Sequence, residues 1–539
     1  MSARRAALLV LLLAAPASAL AQVQYSVGNF LRYGNGTQMI SGTEQRKEYL
    51  ENQTNVRLFW NDFTVGFQYL YDDPPEFGPR YQGIRKRYVE YAREGLELRA
   101  GDFFTLYGKG LSMNLFENRA INYDTGLDGL RGEYHNDYLN AIMAVGTMRY
   151  YDLLNSAYVE NYAVKSGYVE VTPVHMLRLG ASLTGVSGES PRGPVWNEIN
   201  ADILGATMAL HLLGFDLSAE YSFKRSFGMR HQLAGDTRYD RSGDAWYGSL
   251  SYTHESGFGA TFEYKNYKFD PVNPLEKTDV NRPTRMLPMQ NPPIVHKEHA
   301  FTLLVRRPHT IDFNDEVGWQ IDAFYALSPT LTVALNGAVA SRQKSYLQLP
   351  GGTFRTIKKT NDLFPALDAE FSPFWEAYAE VEWYFDGQSY LRAAFNRRYD
   401  APYEEVTRDA HVQTSTTIPV RLELMLDEAY SVGISLEQQW AHDNTYAPDE
   451  RSFFNEFVSV TLSRAPTWAV SLRGEFTNDN NDPSGKKSWI TGEFSYRLGN
   501  VHTATVSYGT ERGGLICSNG ICRVVQPFEG VRFQLLTQL

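Results

Sequence analysis

Thr467-Trp468-Ala469-Val470-Ser471-Leu472-Arg473-Gly474-Glu475-Phe476, a polar break from Asn478 to Lys487, and Ile490-Thr491-Gly492-Glu493-Phe494-Ser495-Tyr496-Arg497-Leu498 decide the fold. In both runs the apolar residues recur at every second position. Trp468, Val470, Leu472 and Phe476 share one parity, and Ser471, Arg473 and Glu475 share the other. A period of two sets the two classes on opposite faces of a strand. One face is apolar and aromatic, the other wet. About ten such residues, tilted, cross the hydrocarbon of a bilayer. The pattern predicts a hairpin of a transmembrane β-barrel.

Working outward, the same alternation recurs along the chain. Phe63, Val65, Phe67, Tyr69 and Tyr71 carry it near the beginning, and Phe215, Leu217, Ala219, Tyr221 and Phe223 further on. Val317, Trp319, Ile321, Ala323 and Tyr325 follow, and Val531, Phe533 and Leu535 lead to Leu539. Outer-membrane barrels usually end on an aromatic residue, so the terminal Leu539 departs from that habit. Short turns such as Asn61-Asp62, Glu94-Gly95, Asp386-Gly387 and Gly499-Asn500 alternate with longer connections. The long ones are Asp72 to Gln82, Ser187 to Glu198, Ser226 to Gly243, Asp270 to Val295, Ser341 to Pro365 and His442 to Arg451. In bacterial barrels the short turns face the periplasm and the long loops face outward. About 25 segments read as strands, and single-chain bacterial barrels take even numbers. The expected fold is therefore an all-β, antiparallel, up-and-down barrel of about 24–26 strands. The two directions of counting clash between Asp270 and Trp375.

Composition agrees. The chain opens Met1-Ser2-Ala3-Arg4-Arg5, runs apolar from Ala6 to Leu13 and reaches Ala19-Leu20-Ala21. That order predicts a secretory signal peptide over residues 1–21 and a mature barrel over 22–539. The whole chain carries 51 basic and 62 acidic residues, a net charge of −11 that becomes −13 without Arg4 and Arg5. This balance argues against nucleic acid as a partner. Aromatics make up 14 % of the 539 residues, which suits a membrane interface. After the signal no apolar run approaches the ~18 residues of a membrane helix. The mean hydropathy of −0.37 resembles a soluble protein only because half of each barrel strand faces water. A propeller or solenoid would need a fixed-period repeat, and none is visible.

Candidate functional residues fall in three groups. The stretch Gly101 to Tyr134 interrupts the alternation with glycines and charges. Its residues 101–126 are the candidate for an insert that narrows the lumen, with Lys109, Glu117, Arg119, Asp124, Asp128 and Arg131 as the constriction. Arg80, Arg85, Lys86, Arg87, Arg93 and Arg99 precede it as a basic wall. Glu376, Glu380 and Glu382 on one strand, and Arg392 and Arg398 on the next, are candidate lumen charges. Cys517 and Cys522 flank Ser518-Asn519-Gly520-Ile521. A turn there in an exported protein predicts a disulfide. His296 and His299, three apart, would take opposite faces of a strand, so no shared metal is expected. Neither a catalytic triad nor a cofactor motif is readable.

The motifs Gly101-Asp102-Phe103-Phe104, Tyr107-Gly108-Lys109-Gly110-Leu111, Asn314-Asp315-Glu316-Val317-Gly318 and Cys517 to Cys522 resemble an uncharacterised family of large, porin-like outer-membrane barrels. The resemblance implies localisation and architecture and no substrate or catalytic residue. The function expected is a channel or transporter for small polar solutes in the outer membrane of a Gram-negative bacterium, not an enzyme. The other reading is a barrel scaffold for a surface, secretion or motility complex. Expected partners are outer-membrane lipid, lipopolysaccharide and other envelope proteins.

Overall fold

In the computed structural model, residues 23–40, 43–151, 159–192, 195–231, 235–272, 274, 286–518 and 521–539 are described. The predicted signal peptide lies outside them. The hairpin that opened the sequence reading is present as Trp468–Thr477 and Ser488–Leu498, with Trp468 opposite Tyr496 and Val470 opposite Phe494. Val470, Leu472, Ile490 and Phe494 are 45, 59, 51 and 45 % exposed. Their parity turns away from the lumen, while Glu475 on the other parity pairs with Arg306. Each apolar side chain left in water would forfeit about 1 kcal/mol or more. A wall lined outside with such residues is stable only against lipid.

Twenty-four strands join in one sheet, all antiparallel, each paired with its sequence neighbours. The first, Gln24–Ile40, pairs with the last, Phe528–Gln538, from Gly28 opposite Gln538 to Gln38 opposite Phe528. That pairing closes the barrel and removes both edges. The expected architecture is thus the observed one, at the lower of the two even counts. Among the described residues between Asp270 and Trp375, Glu316–Ser328 and Leu331–Ser341 cross the wall. The alternating segment nearby, Lys344–Gln348 with Phe354–Lys358, pairs only with itself. It forms a small hairpin of its own within the long connection expected from Ser341 to Pro365.

Turn chemistry sets one end of the barrel. Glu94 and Gly95 both take positive φ (50° and 83°), as a two-residue I′ hairpin requires. Two expected long loops are instead extended strand. Ser187 pairs with Asn200 and Arg192 with Val195, and Ser226 pairs with Arg241 and Arg230 with Thr237. The polar composition of these stretches places them beyond the lipid. The backbone ladder does not depend on side-chain polarity, so the pairing continues.

Buried apolar residues lie inside the barrel. Residues 104–126 and 286–315 enter the lumen from the long-connection end and cover its inward-facing side chains.

Candidate functional site

The first inserted segment leaves the strand Leu96–Phe103 and returns at Leu127–His135. It cannot continue as wall because Gly108 and Gly110 turn it at φ 55° and 100°. Two minimal ladders, Leu106–Tyr107 with Met113–Asn114 and Glu117–Asn118 with Tyr123–Asp124, give it shape. A 3₁₀ turn, Arg119–Ile121, is capped by the Asn118 side chain accepting from Ala120 N–H at 3.0 Å. Tyr107, Met113 and Leu115 are buried against Ile142, Met148 and Tyr168 of the wall. At the turn, the Glu220 carboxylate accepts the Lys109 N–H and, at 3.1 Å, the Leu111 N–H.

The second segment, residues 286–315, locks onto the first. Asn114 N–H donates to Met289 O (2.8 Å), Gln290 Nε2 to Leu111 O (3.0 Å) and Tyr123 Oη to Pro288 O (2.9 Å). Wall residues then clamp it. Lys265 Nζ reaches Ile294 O (2.7 Å) and pairs with Glu316. Glu437 accepts the N–H groups of Thr302 and Leu303 (2.9 and 2.7 Å) where the short helix Thr302–Val305 begins. Arg398 donates to Arg307 O (2.6 Å) and to Glu376 (2.8 Å), which also meets His299 Nε2 at 2.9 Å. Arg306 pairs with Glu475, and Arg307 with Asp443 at 3.2 Å. Charges taken out of water are tolerable only when paired and hydrogen-bonded, and these are both.

Two histidines of this segment are driven in opposite directions. Burial disfavours charge on His309. Asp400 at 2.9 Å and Glu316 overcome that and raise its pKa to about 9. His296 is buried beside His309, with ring centres 5.7 Å apart, and both effects push its pKa well below the ordinary histidine value. Neither His296 nor His299 lies in a strand, so the expected opposite-face argument does not apply to them. Among the described residues no group of three metal-ligating side chains converges.

Of the six charges expected at the constriction, Glu117 and Asp124 stand opposite each other in their short ladder and share two cations. Arg85 meets Asp124 at 3.0 Å and Glu117 at 3.7 Å, and Lys86 meets them at 3.0 and 2.6 Å. Arg119 pairs with Glu51, which Arg32 also holds at 2.7 Å. The other three stand elsewhere. Lys109 is exposed at the inner turn, and Asp128 meets Arg87 at 3.6 Å with both side chains exposed. Arg131 pairs along the wall with Glu97 and Glu133. The six therefore form no single ring, because the insert folds back on itself and separates residues close in sequence.

The second expected group also divides. Glu376 and Arg398 are buried beneath the insert rather than wetted. Glu380 lies 3.8 Å from Arg392, which pairs with Glu382 on less buried wall.

Cys517 and Cys522 are disulfide-bonded. Their hairpin, Gly514–Ser518 with Ile521–Val525, lies over the insert. Asn118 Nδ2 donates to Ser518 Oγ at 3.0 Å, and Arg306 reaches Gly513 O at 2.6 Å.

Among the described residues, two neighbouring cavities flank the insert. The larger, ≈ 980 Å³, is lined by Asp72, Tyr81, Arg85, Asp124, Tyr150 and Asn161 among others. The smaller, ≈ 340 Å³, is lined by Arg32, Glu51, Glu117 and Arg119, and shares Phe77, Arg85 and Asn122 with the first. The clamps Glu220 on the first insert and Glu437 and Glu475 on the second were not read from the sequence, which marked Asp270 to Val295 only as a long connection. The available signal was a loss of alternation from Met286 to Asp315 opposite inward-facing glutamates.

A closed antiparallel wall, lipid-facing outside and filled by its own connections, defines a plugged transmembrane-type β-barrel. The chain belongs to DUF6029, a family of unknown function whose model matches residues 5–539. No curated protein matches it. Similar solved structures include the siderophore receptor PirA from Pseudomonas aeruginosa, at 8 % identity and TM-score 0.47, covering 96 % of this chain and 80 % of that one. The copper transporter OprC is similar at 10 % identity and TM-score 0.46, with 96 % and 80 % covered. The P pilus usher PapC translocation pore is similar at 9 % identity and TM-score 0.39, with 96 % and 99 % covered.

Proposed function

We propose that this protein is a channel or transporter for small polar solutes in the outer membrane of a Gram-negative bacterium, with a path along the wall beside the insert. The observation that carries the reading is the ≈ 980 Å³ cavity, which is lined by both wall and insert, Arg85 and Asp124 among them. Barrels with fewer strands already leave an aqueous lumen, so a 24-stranded wall has room for an insert and a passage. Paired opposite charges along such a path would sort solutes by size and sign. No enzymatic role is proposed.

The test is planar-bilayer conductance of the purified protein and of a form lacking Leu106 to Tyr123. The intact protein should give small or gated steps and the deleted form large ones. Silence of both would sink the channel reading.

One observation favours a scaffold instead: Tyr107, Met113, Leu115 and Met289 pack in the lumen like the core of a soluble domain. A permanently filled barrel would serve as a platform for envelope partners. Silence together with co-purifying subunits would support that reading.

A further inference from the structure

On the strand Phe258–Lys268 the outward parity runs Phe262, Tyr264, Asn266, and on Glu316–Ser328 it runs Val317, Trp319, Ile321. Phe262 and Ile321 are exposed, as a lipid face demands. Tyr264 and Trp319 stand opposite each other one step above them, an aromatic pair of the kind that marks the membrane–water interface. Just above that level the exposure stops. Asn266 and Val317 are only 2 % and 0 % exposed.

The cover is a loop folded back onto the outside of the wall. Asn266 Nδ2 donates to Asp362 O (3.0 Å), Tyr264 Oη to Leu363 O (2.8 Å) and Gln343 Nε2 to Asp362 O (2.9 Å). Ala366 N–H donates to Ser341 Oγ (2.9 Å), and Lys268 Nζ meets the Asp362 carboxylate at 3.0 Å. The backbone is thus fixed through polar contacts, yet Leu363, Phe364 and Leu367 are 56, 59 and 67 % exposed. Rigidly presented apolar side chains at an interface level have acyl chains as their natural cover.

A second observation supplies the sign of the headgroup. In the adjoining hairpin Lys344 stands directly opposite Lys358, an arrangement that costs stability between like charges. Neither lysine has an acidic partner among the described residues, and neither does Arg355 two strand positions before Ile357. Lys359 Nζ, next in sequence, donates to Phe364 O at 2.9 Å, which ties the end of the hairpin to the loop that carries the apolar trio.

We propose that this loop and hairpin base form a binding site for a phosphate-bearing lipid of the surrounding leaflet. Acyl chains cover Leu363, Phe364 and Leu367, and the phosphate sits between Lys344 and Lys358. The site rests on the membrane reading above but not on the solute path.

The experiment uses the full-length protein in detergent, incubated with bis-phosphorylated lipid A or with its dephosphorylated form. Retained lipid is counted by native mass spectrometry. The wild type should retain phosphorylated lipid A in preference to the dephosphorylated form. Lys344→Gln with Lys358→Gln should weaken retention by about thirtyfold, at roughly fivefold per basic side chain near an anionic surface. Leu363→Ser with Phe364→Ser should weaken both lipids. Equal retention of the two lipids, or unchanged retention in both variants, overturns the site. Insertion into phosphatidylcholine vesicles is measured alongside. A protein that does not insert sinks the membrane reading with the site; one that inserts but retains no lipid A sinks the site alone.

Discussion

Arg398 and Glu376 face each other at 2.8 Å beneath the inserted segment, with side chains 9 and 0 % exposed. The arginine also holds the carbonyls of Leu304 and Arg307. One pair therefore ties two wall strands to the lumen filling. Removing one partner strands a buried charge, at a cost of about 3–5 kcal/mol. Arg398→Ala should release residues 286–315 to protease while the barrel keeps its heat-dependent gel mobility. The double variant Glu376→Ala/Arg398→Ala should be less sensitive than either single one. If all three variants are cleaved at the wild-type rate, the pair is no clamp.

The clamp should also respond to pH, through His309 and His296. His309 faces Asp400 and Glu316, with Lys265 behind Glu316 and His296 alongside. Its pKa is raised to about 9, so its contribution is whole below 6.5 and drains as pH rises from 6.5 to about 9. The span corresponds to roughly 3 kcal/mol for a single group. His296 acts in the other direction. Its depressed pKa makes a released segment take up the proton first, so its contribution falls as pH drops below 6.5. Protease protection of residues 286–315 should be greatest near pH 6.5. In His309→Asn the loss on the alkaline side should vanish; a limb that persists unchanged would assign it to another group.

Charge selectivity offers a third test. Arg85 and Lys86 together neutralise Glu117 and Asp124 at the edge of the cavity. Arg85→Ala/Lys86→Ala leaves two carboxylates unopposed. The reversal potential under a salt gradient should shift toward cation preference relative to the wild type, and Glu117→Gln/Asp124→Asn should shift it the other way. Equal reversal potentials in all three proteins would place the current elsewhere.

The disulfide closes only a short loop, so its contribution is local. Cys517→Ser/Cys522→Ser should leave barrel mobility on gels unchanged. It should expose the hairpin 514–525 to protease and weaken its hold on Asn118. Global loss of the folded barrel would contradict this.

The wall was legible from residues alone because its information is local. Trp468 and Val470 share a face for the same reason that Phe63 and Val65 do, and each strand repeats the statement. Strand number was legible only to within the even-number rule, because alternation marks a strand without saying which sheet it joins. Polar strand extensions at Ser187 and Ser226 were read as loops because polarity reports distance from lipid and not backbone pairing.

The site was legible only in fragments. Glu117, Arg119 and Asp124 drew attention as charges in an irregular stretch; Glu117 and Asp124 share Arg85, whereas Arg119 turns to Glu51. Their partners Arg85 and Glu51 come from two other strands. Glu220, Glu437 and Glu475 looked like ordinary inward polar positions. Each earns its role from a backbone or guanidinium brought in from over a hundred residues away.

By itself, the sequence determined the class of this protein: a lipid-facing, closed, antiparallel barrel with a stapled outer loop. Periodicity and composition are properties of neighbouring residues, and a bilayer reads them strand by strand. Only the tertiary structure decided that the lumen is filled, by which segments, and which charges are buried together. Those outcomes depend on contacts between residues far apart in the chain, and a buried ion becomes tolerable only when its distant partner arrives.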